Sequence, residues 1–178
     1  MVADIPTEYR KAAAKSGASV FPPRLTSGQM SRLFSAADLL VFPTYMDTFG
    51  AVVLEALSHG LPVVSSTTYC VPEMVQSGRT GILLEPPVKW HGDDMLFQYG
   101  RWRSYREFAA EVKAADMRAY AAKVRRAVEA LLVDGALYRR MSANARAASE
   151  KGPFSIRARN EALGKVYESC IAHSGPGQ

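Results

Sequence analysis

Two carboxylates, Asp47 and Glu55, stand eight positions apart in the stretch with the clearest chemical pattern, residues 41–66. The helix predicted around Glu55 is otherwise almost wholly apolar, which is typical of a buried helix. A buried carboxylate is costly unless it finds partners, and no Arg or Lys lies three or four positions away. The two hydroxyls of a ribose would satisfy Glu55, and Asp47 could reach the hydroxyls of a sugar at the same helix end.

The start of this helix predicts an anion site. An apolar run predicted as a strand ends at Phe42-Pro43, and a helical pattern begins near Phe49. The first amides of a helix have no intrahelical acceptor, and the helix dipole favours negative charge beside them. Because Gly50 has no Cβ, a phosphate could approach its backbone closely. The amides predicted to bind a phosphate are those of Thr48, Phe49, Gly50 and Ala51.

Each of these residues also has a plainer interpretation. Aspartate commonly caps a helix, so Asp47 could do only that. Glu55 could bond to backbone or water at the helix edge, and Gly50 could serve packing alone. The sequence leaves these alternatives open.

The elements that must position these residues alternate between strand and helix from Thr7 to Leu84. The alternation predicts an α/β fold, a Rossmann-like, doubly wound parallel sheet with right-handed crossovers. Continuous apolar strands favour a sheet covered on both faces. The predicted strands are 18–23, 38–43, 63–66 and 81–84, and the predicted helices are 7–16, 27–37, 49–58 and 72–77.

The pattern changes after Pro86-Pro87. Residues 88–113 are an aromatic and basic insertion without a clear period before Tyr105. Such a segment could be a lid, an interdomain contact or a partner surface, although aromatic insertions more often pack on their own domain. Helices are predicted at 116–133, 135–150 and 155–172, so residues 1–87 and 114–173 are expected to form one domain with 88–113 inserted.

The run from Asp47 to Ser66, DTFGAVVLEALSHGLPVVSS, resembles a motif of retaining GT-B glycosyltransferases of the group 1, or family four, type. The family pattern is an acidic residue, any residue, Phe-Gly, four residues and Glu-Ala, followed by a Gly-x-Pro-Val-Val strand. Three further segments resemble the family in the right order, at 37–44, 71–84 and 154–167. The resemblance covers most of 17–87 and 114–170. It implies the C-terminal, donor-binding domain of such an enzyme.

The resemblance assigns roles residue by residue. It implies that Glu55 holds the donor ribose and that Asp47 contacts the transferred sugar, and we take these two as the catalytic residues. It implies that backbone donors for the sugar and the diphosphate come from Phe49, Gly50 and Ala51, with Thr48 beside them. Arg24 and Leu25 match, more loosely, the lining of the base pocket.

Two departures from the family pattern bear on the site. Asp47 replaces the usual Glu, and Tyr69-Cys70 replaces the usual Gly-Gly before the Pro-Glu turn. In the family, an Arg and a Lys from earlier strands neutralise the diphosphate, and those strands would precede residue 1. The acceptor-binding half would precede residue 1 as well. We therefore expect a sheet truncated at its N-terminal strands. We also expect an isolated chain that is inactive without an N-terminal half in cis or trans, and that could form a homodimer.

The function expected from the resemblance is transfer of a hexosyl group from a nucleotide-diphosphate sugar to an acceptor that the sequence does not identify, with retention. The nucleotide sugar is a co-substrate, and no cofactor or metal is expected. The alternative is a non-catalytic module that keeps the fold and binds a partner protein. The histidines, His59, His91 and His173, are isolated in the sequence and receive no catalytic role.

Composition and charge indicate which partners and which compartment to expect for the chain. The net charge is +5, and residues 101–159 hold 14 Lys and Arg against 6 Asp and Glu. Such a basic half can meet nucleic acid, anionic lipid or a phosphate-bearing substrate, or simply be solvated. No nucleic-acid-binding motif is present, so nucleic acid is not an expected partner, and peripheral membrane contact is left open. We interpret Cys70 and Cys170 as free thiols. Free thiols and the absence of an apolar leader both favour the cytoplasm.

Overall fold

The computed structural model describes residues 6–47, 49–92, 96, 98 and 100–173. The chain divides into two compact units, a small one that ends at Ala37 and a larger one that begins at Asp38. The small unit contains helices α1 (Thr7–Lys15) and α2 (Ser27–Ala36). Both helices were expected from the sequence.

Helix α2 begins with a capping box. The Thr26 side chain accepts a hydrogen bond from the Gln29 amide, and the Gln29 side chain accepts one from the Thr26 amide at 2.8 Å. The cap is thus Thr26, the residue immediately before the predicted helix 27–37. The strand predicted at 18–23 is wrong, because only Phe21 makes an isolated bridge there. Pro22 and Pro23 have no amide hydrogens to donate to a strand ladder.

The larger unit is built on a parallel sheet in the order β1-β2-β3, with β1 at Leu40–Phe42, β2 at Val63–Ser66 and β3 at Gly81–Leu84. Both strand pairs are parallel. Helix α3 (Ala51–Ser58) connects β1 to β2, and α4 (Val71–Met74) connects β2 to β3. The expected α/β fold with a parallel sheet is confirmed. The carboxyl ends of all three strands therefore meet at one edge, where ligands bind in open α/β sheets.

Four helices follow the sheet. They are α5 (Tyr105–Ala114), α6 (Met117–Val133), α7 (Gly135–Lys151) and α8 (Ile156–His173). The first three have side-chain caps, which are typical of helix starts: Ser104 accepts from Glu107, Asp116 from Arg118, and Asp134 from Ala136 and Leu137. The predicted helices 116–133, 135–150 and 155–172 are confirmed to within about a residue at each end.

The main core lies on β2. Val64 packs with Ala127 and Leu131 of α6 and with Met141 of α7, and all four are buried. Side chains alternate along a strand, so Val63 and Ser65 point to the opposite face, where both are also buried. Helix α3 packs against β1, β2 and α7. Because β2 is covered on both faces, all of its residues are buried instead of alternating between buried and exposed.

A second, smaller core forms within the predicted insertion. Val88, Trp102 and Phe108 are buried together, and Tyr45, from the loop after β1, packs against them. The rings of Trp102 and Phe108 meet edge to face with centroids 5.2 Å apart. The described part of 88–113 therefore packs on its own unit, although its predicted boundaries stay a prediction. No helix in the described ranges is long and apolar enough to cross a membrane.

Candidate functional site

Helix α3 begins at the carboxyl edge of the sheet and has one exposed face along its length. Ala51, Glu55 and Ser58 are exposed, and Val53 and Leu57 are buried. Residues four and three positions apart lie on the same side of a helix, so the exposed residues form one strip. The expectation that Glu55 is buried was therefore wrong. Its carboxylate needs no ligand to offset burial, but it is accessible to one.

Gly50 is the N-cap of α3 and has a left-handed backbone, with φ 71° and ψ 44°. A Cβ on Gly50 would lie 3.6 Å from Met74 Cε and 3.7 Å from Phe42 Cε1, which are ordinary contacts. The positive φ, rather than crowding, explains the glycine. Because Gly50 is left-handed, α3 begins at Ala51, two residues after the predicted start at Phe49.

The Asp47 side chain accepts hydrogen bonds from two of the amides that were predicted to bind a phosphate. Its Oδ1 atom accepts hydrogen bonds from the amide of Phe49 at 3.0 Å and from the amide of Gly50. The plainer interpretation of Asp47, a capping carboxylate, thus describes its contacts in this structure. Thr48, the remaining residue of the loop, lies outside the described residues. The proposed roles of Asp47 and Glu55 toward a sugar nucleotide stay predictions.

Buried hydroxyls from β2 and the residues after it hold the loop that leaves β1. Ser65 Oγ donates to the Phe42 carbonyl at 2.6 Å. Ser66 Oγ and Thr68 Oγ1 both donate to the Thr44 carbonyl, the latter at 3.2 Å. All three hydroxyl-bearing side chains are at most 2% exposed. This role was not predicted from the sequence, although four consecutive hydroxyl residues follow Val63-Val64.

Cys70 connects the loop after β2 to the loop after β1. Its thiol donates a hydrogen bond to the Phe49 carbonyl at 2.8 Å. Burial raises the pKa of the Cys70 thiol, and the negative charges of Asp47 and Glu73 raise it further. A raised pKa keeps the thiol protonated at neutral pH, so Cys70 retains the hydrogen that this bond requires.

Tyr45 joins the same loop to the helices. Its hydroxyl donates to Met117 Sδ at 3.3 Å. Burial, with a smaller effect of Tyr120, raises the pKa of Tyr45 to about 12. The phenol therefore stays neutral and acts as a donor across the physiological range. Tyr45 and Tyr120 also pack with ring centroids 6.1 Å apart, which fixes the direction of the loop.

Arg24 and Leu25 belong to the smaller unit, where Arg24 is exposed and Leu25 is half-buried. Their role in a base pocket stays a prediction. The described site in the larger unit is therefore the start of α3 and its exposed strip. Along the helix axis Ala51 and Glu55 are about 6 Å apart. This spacing suits a ligand that carries an anionic group and, one linkage away, hydroxyls able to donate to a carboxylate.

A family model described as glycosyl transferases group 1 matches residues 2–90, which is half of the 178-residue chain. This chain belongs to the group 1 glycosyltransferases. The match includes the loop after β1, helix α3 and the turn at Tyr69-Cys70, so the whole described site lies within the part that defines the family.

Individual relatives of this group 1 glycosyltransferase chain agree with the family model. A sulfoquinovosyl transferase of Arabidopsis thaliana is 38% identical over 71 residues, which are 38% of this chain and 14% of that protein. A sucrose-phosphate synthase from Thermosynechococcus elongatus has a TM-score of 0.64 at 19% identity, covering 97% of this chain and 38% of that one. Anabaena HepE, solved in complex with UDP-glucose, has a TM-score of 0.57 at 19% identity, covering 91% and 36%.

These structural likenesses show the fold. The chain also spans well under two thirds of the length of each of these relatives: 14% of the first and 38% and 36% of the two solved structures.

Proposed function

We propose that this chain is the donor-binding part of a group 1 glycosyltransferase that transfers a hexosyl group from a nucleotide-diphosphate sugar with retention of configuration. The observation that carries the proposal is the strip on α3. Helix α3 starts at the carboxyl edge of a parallel sheet, and Glu55 is exposed one turn after Ala51 on the same face.

The first amides of α3 would receive the diphosphate. A helix start offers unpaired N–H groups and a favourable dipole to an anion. When the bond between the anomeric carbon and the diphosphate oxygen breaks, negative charge grows on that oxygen. Fixed N–H dipoles aimed at this charge lower the barrier. Asp47 leaves the amides of Phe49 and Gly50 when the donor enters, and its carboxylate then accepts hydrogen bonds from the transferred sugar.

Glu55 would receive the ribose. An exposed carboxylate accepts two hydrogen bonds from a vicinal diol, and charge-assisted hydrogen bonds of this kind are stronger than neutral ones. The complex of HepE with UDP-glucose supports a nucleotide sugar as the ligand class for this fold. Because the chain spans only part of its relatives, we expect the 178 residues alone to bind a donor without completing transfer.

Calorimetry with uridine, guanosine and adenosine diphosphates tests the proposal on the intact chain. Glu55→Ala should weaken the best ligand about tenfold, since a hydrogen bond to a charged group is lost. The matching 2′-deoxynucleotide keeps only one of the two ribose hydroxyls, so Glu55→Ala should weaken its binding less than that of the ribonucleotide. Glu150→Ala, which removes an exposed carboxylate near the end of α7, is the matched control and should leave the affinity unchanged.

A specific observation also favours a second candidate, a non-catalytic module that keeps the fold and binds a partner protein. Asp47 already fills the amides of Phe49 and Gly50 in this structure. One binding result distinguishes the two candidate functions. If none of the three diphosphates or their glucose derivatives binds either the chain or a longer protein that contains it, the donor-binding proposal is wrong.

A further inference from the structure

The turn that follows β2 contains a backbone conformation that is unfavourable for its residue. Tyr69 has φ 49°, and it is the only non-glycine residue with a positive φ in the described part of the chain. A bulky side chain in the left-handed region is uncommon, and it persists only where surrounding contacts over-determine it. The contacts that hold Tyr69 come from Trp90 and His91, in the segment 88–113.

His91 is the main contact. Its Nε2 atom accepts a hydrogen bond from the Tyr69 amide at 3.0 Å. Since Nε2 is an acceptor, the ring proton lies on Nδ1, which donates to the Gly92 carbonyl at 2.9 Å. The His91 carbonyl in turn accepts from the Gln98 side chain at 2.8 Å, and the His91 side chain is buried. The tautomer and the ring orientation are therefore both fixed.

Aromatic packing adds to this hydrogen bond. The Tyr69 ring lies 5.5 Å from the ring of Trp90 and 6.4 Å from the ring of His91, centroid to centroid. Trp90 and His91 meet edge to face at 5.5 Å. Such pairs favour a defined geometry. Tyr69 is thus held at its backbone and at its ring by two adjacent residues.

The Tyr69 turn is itself bonded to the start of α3. Cys70, the next residue, donates its thiol hydrogen to the Phe49 carbonyl at 2.8 Å. The Phe49 amide is one of the two that Asp47 occupies. A continuous path therefore runs from His91 through Tyr69 and Cys70 to the peptide that precedes Gly50.

We propose that His91 is a positioning residue for the donor site, acting through the Tyr69-Cys70 turn on the Phe49 peptide. This inference rests on the proposed function, and it adds that the segment 88–113 sets the shape of the site. The Nε2 acceptor holds the Tyr69 amide, the turn directs the Cys70 thiol toward Phe49, and the amides at the start of α3 keep the arrangement that an entering diphosphate meets.

Two substitutions at His91 distinguish the role of its hydrogen-bond acceptor from the role of its aromatic ring. His91→Phe keeps an aromatic ring but removes the acceptor, whereas His91→Gln replaces Nε2 with an amide oxygen that can accept from the same amide. His173→Phe, at an exposed histidine near the end of α8, is the control. Thermal melting identifies any variant that fails to fold.

The first readout does not depend on nucleotide binding. In a Cys170→Ser background, which removes the exposed second thiol, we measure the rate at which a disulfide reagent modifies Cys70. His91→Phe should raise this rate roughly fivefold, the factor that corresponds to loss of one hydrogen bond. His91→Gln and the control should stay within about twofold of the unaltered background. An unchanged rate in His91→Phe, or an equal rise in His91→Gln, overturns the inference.

The second readout is calorimetric affinity for uridine, guanosine and adenosine diphosphates. His91→Phe should weaken the best ligand about fivefold, and His91→Gln should restore the affinity. If the unaltered chain binds a diphosphate and His91→Phe changes the thiol rate but not the affinity, the inference is wrong and the proposed function stands. If neither the unaltered chain nor a longer protein that contains it binds any of the three diphosphates or their glucose derivatives, the proposed function fails and the donor-site role of His91 fails with it.

A second pair keeps the inference testable should His91→Phe not fold. Cys70→Ser retains a hydrogen-bond donor toward the Phe49 carbonyl, and Cys70→Ala does not. We expect Cys70→Ala to weaken the best diphosphate and Cys70→Ser to preserve its affinity. Equal affinities in these two variants would show that the hydrogen bond from Cys70 to the Phe49 carbonyl does not connect the turn to the donor site. That result would overturn the inference.

Discussion

The Oδ1 atom of Asp47 lies 3.0 Å from the amide nitrogen of Phe49. The same oxygen accepts from the Gly50 amide, so a side-chain carboxylate occupies the place where a phosphate oxygen is proposed to bind. A negative charge at a helix start is stabilising in the absence of ligand. It also repels an anion that approaches the same amides, so Asp47 competes with the diphosphate.

Asp47→Asn tests this competition. The amide oxygen of Asn can still accept from Phe49 and Gly50, but the charge is gone. We expect a nucleoside diphosphate without a sugar to bind about twofold to fivefold more tightly at low salt, with the gain reduced at high salt by screening. The corresponding nucleotide sugar should gain less, because Asp47 is proposed to accept from the sugar. Calorimetry on both ligands at two salt concentrations measures the difference.

The control for this prediction is Asp38→Asn. Asp38 is exposed and precedes β1 at the opposite end of the strand, so its substitution should leave both affinities unchanged. Weaker binding of the sugar-free diphosphate to Asp47→Asn would show that the carboxylate does not compete for the amides.

The order of motifs was enough to predict the three strands of the sheet and the helix that begins at its carboxyl edge. The apolar runs gave β1, β2 and β3, and the Phe49-Gly50 motif marked the helix at the carboxyl edge. The error at Glu55 came from counting apolar residues without placing them on the helix. Ala51, Glu55 and Ser58 at intervals of four and three already formed a strip that needed no burial.

The remaining features depend on contacts between distant residues. Nothing near His91 in the sequence indicates that its ring accepts from an amide 22 positions earlier. Similarly, the Thr44 carbonyl finds its donors, Ser66 and Thr68, only when β1 and β2 pair in parallel register. Such partners are set by tertiary packing, which local pattern does not encode.

A double-mutant cycle tests how Ser66 and Thr68 share the Thr44 carbonyl. Ser66→Ala and Thr68→Val each remove one donor and leave the other, so each should lower the free energy of unfolding by about 1 kcal/mol. The double variant leaves the carbonyl without either donor. It should lose about 0.5–1 kcal/mol more than the sum of the single losses. Urea unfolding with unchanged m-values measures these differences.

The control cycle pairs Ser66→Ala with Ser65→Ala. The Ser65 hydroxyl donates to a different carbonyl, that of Phe42, so this pair should share no acceptor. We expect its losses to add to within about 0.5 kcal/mol. Additive losses in the Ser66 and Thr68 cycle as well would contradict the shared acceptor.

Glu111 predicts a pH dependence for the packing of the segment 88–113. Its carboxylate accepts hydrogen bonds from the Arg101 side chain and, at 2.7 Å, from Trp102 Nε1. The Arg101 bond and then the Trp102 bond hold the pKa of Glu111 below its ordinary value. A carboxyl whose pKa is lower in the folded than in the unfolded chain stabilises the fold above the unfolded pKa. That stabilisation is lost as the pH falls from there through the folded pKa.

Glu111→Gln should therefore melt at a lower temperature than the unaltered chain at neutral pH. The gap should narrow as the pH falls below about 4.3, the ordinary pKa of glutamate, because the carboxyl of the unaltered chain then takes up a proton and loses its charge as well. Melting followed by tryptophan fluorescence from pH 7 to about pH 3 measures the gap. Glu150→Gln, at an exposed site on α7, corrects for the general effect of removing one negative charge. A gap that stays constant across this range would show that the charge of Glu111 does not stabilise the contact with Arg101 and Trp102.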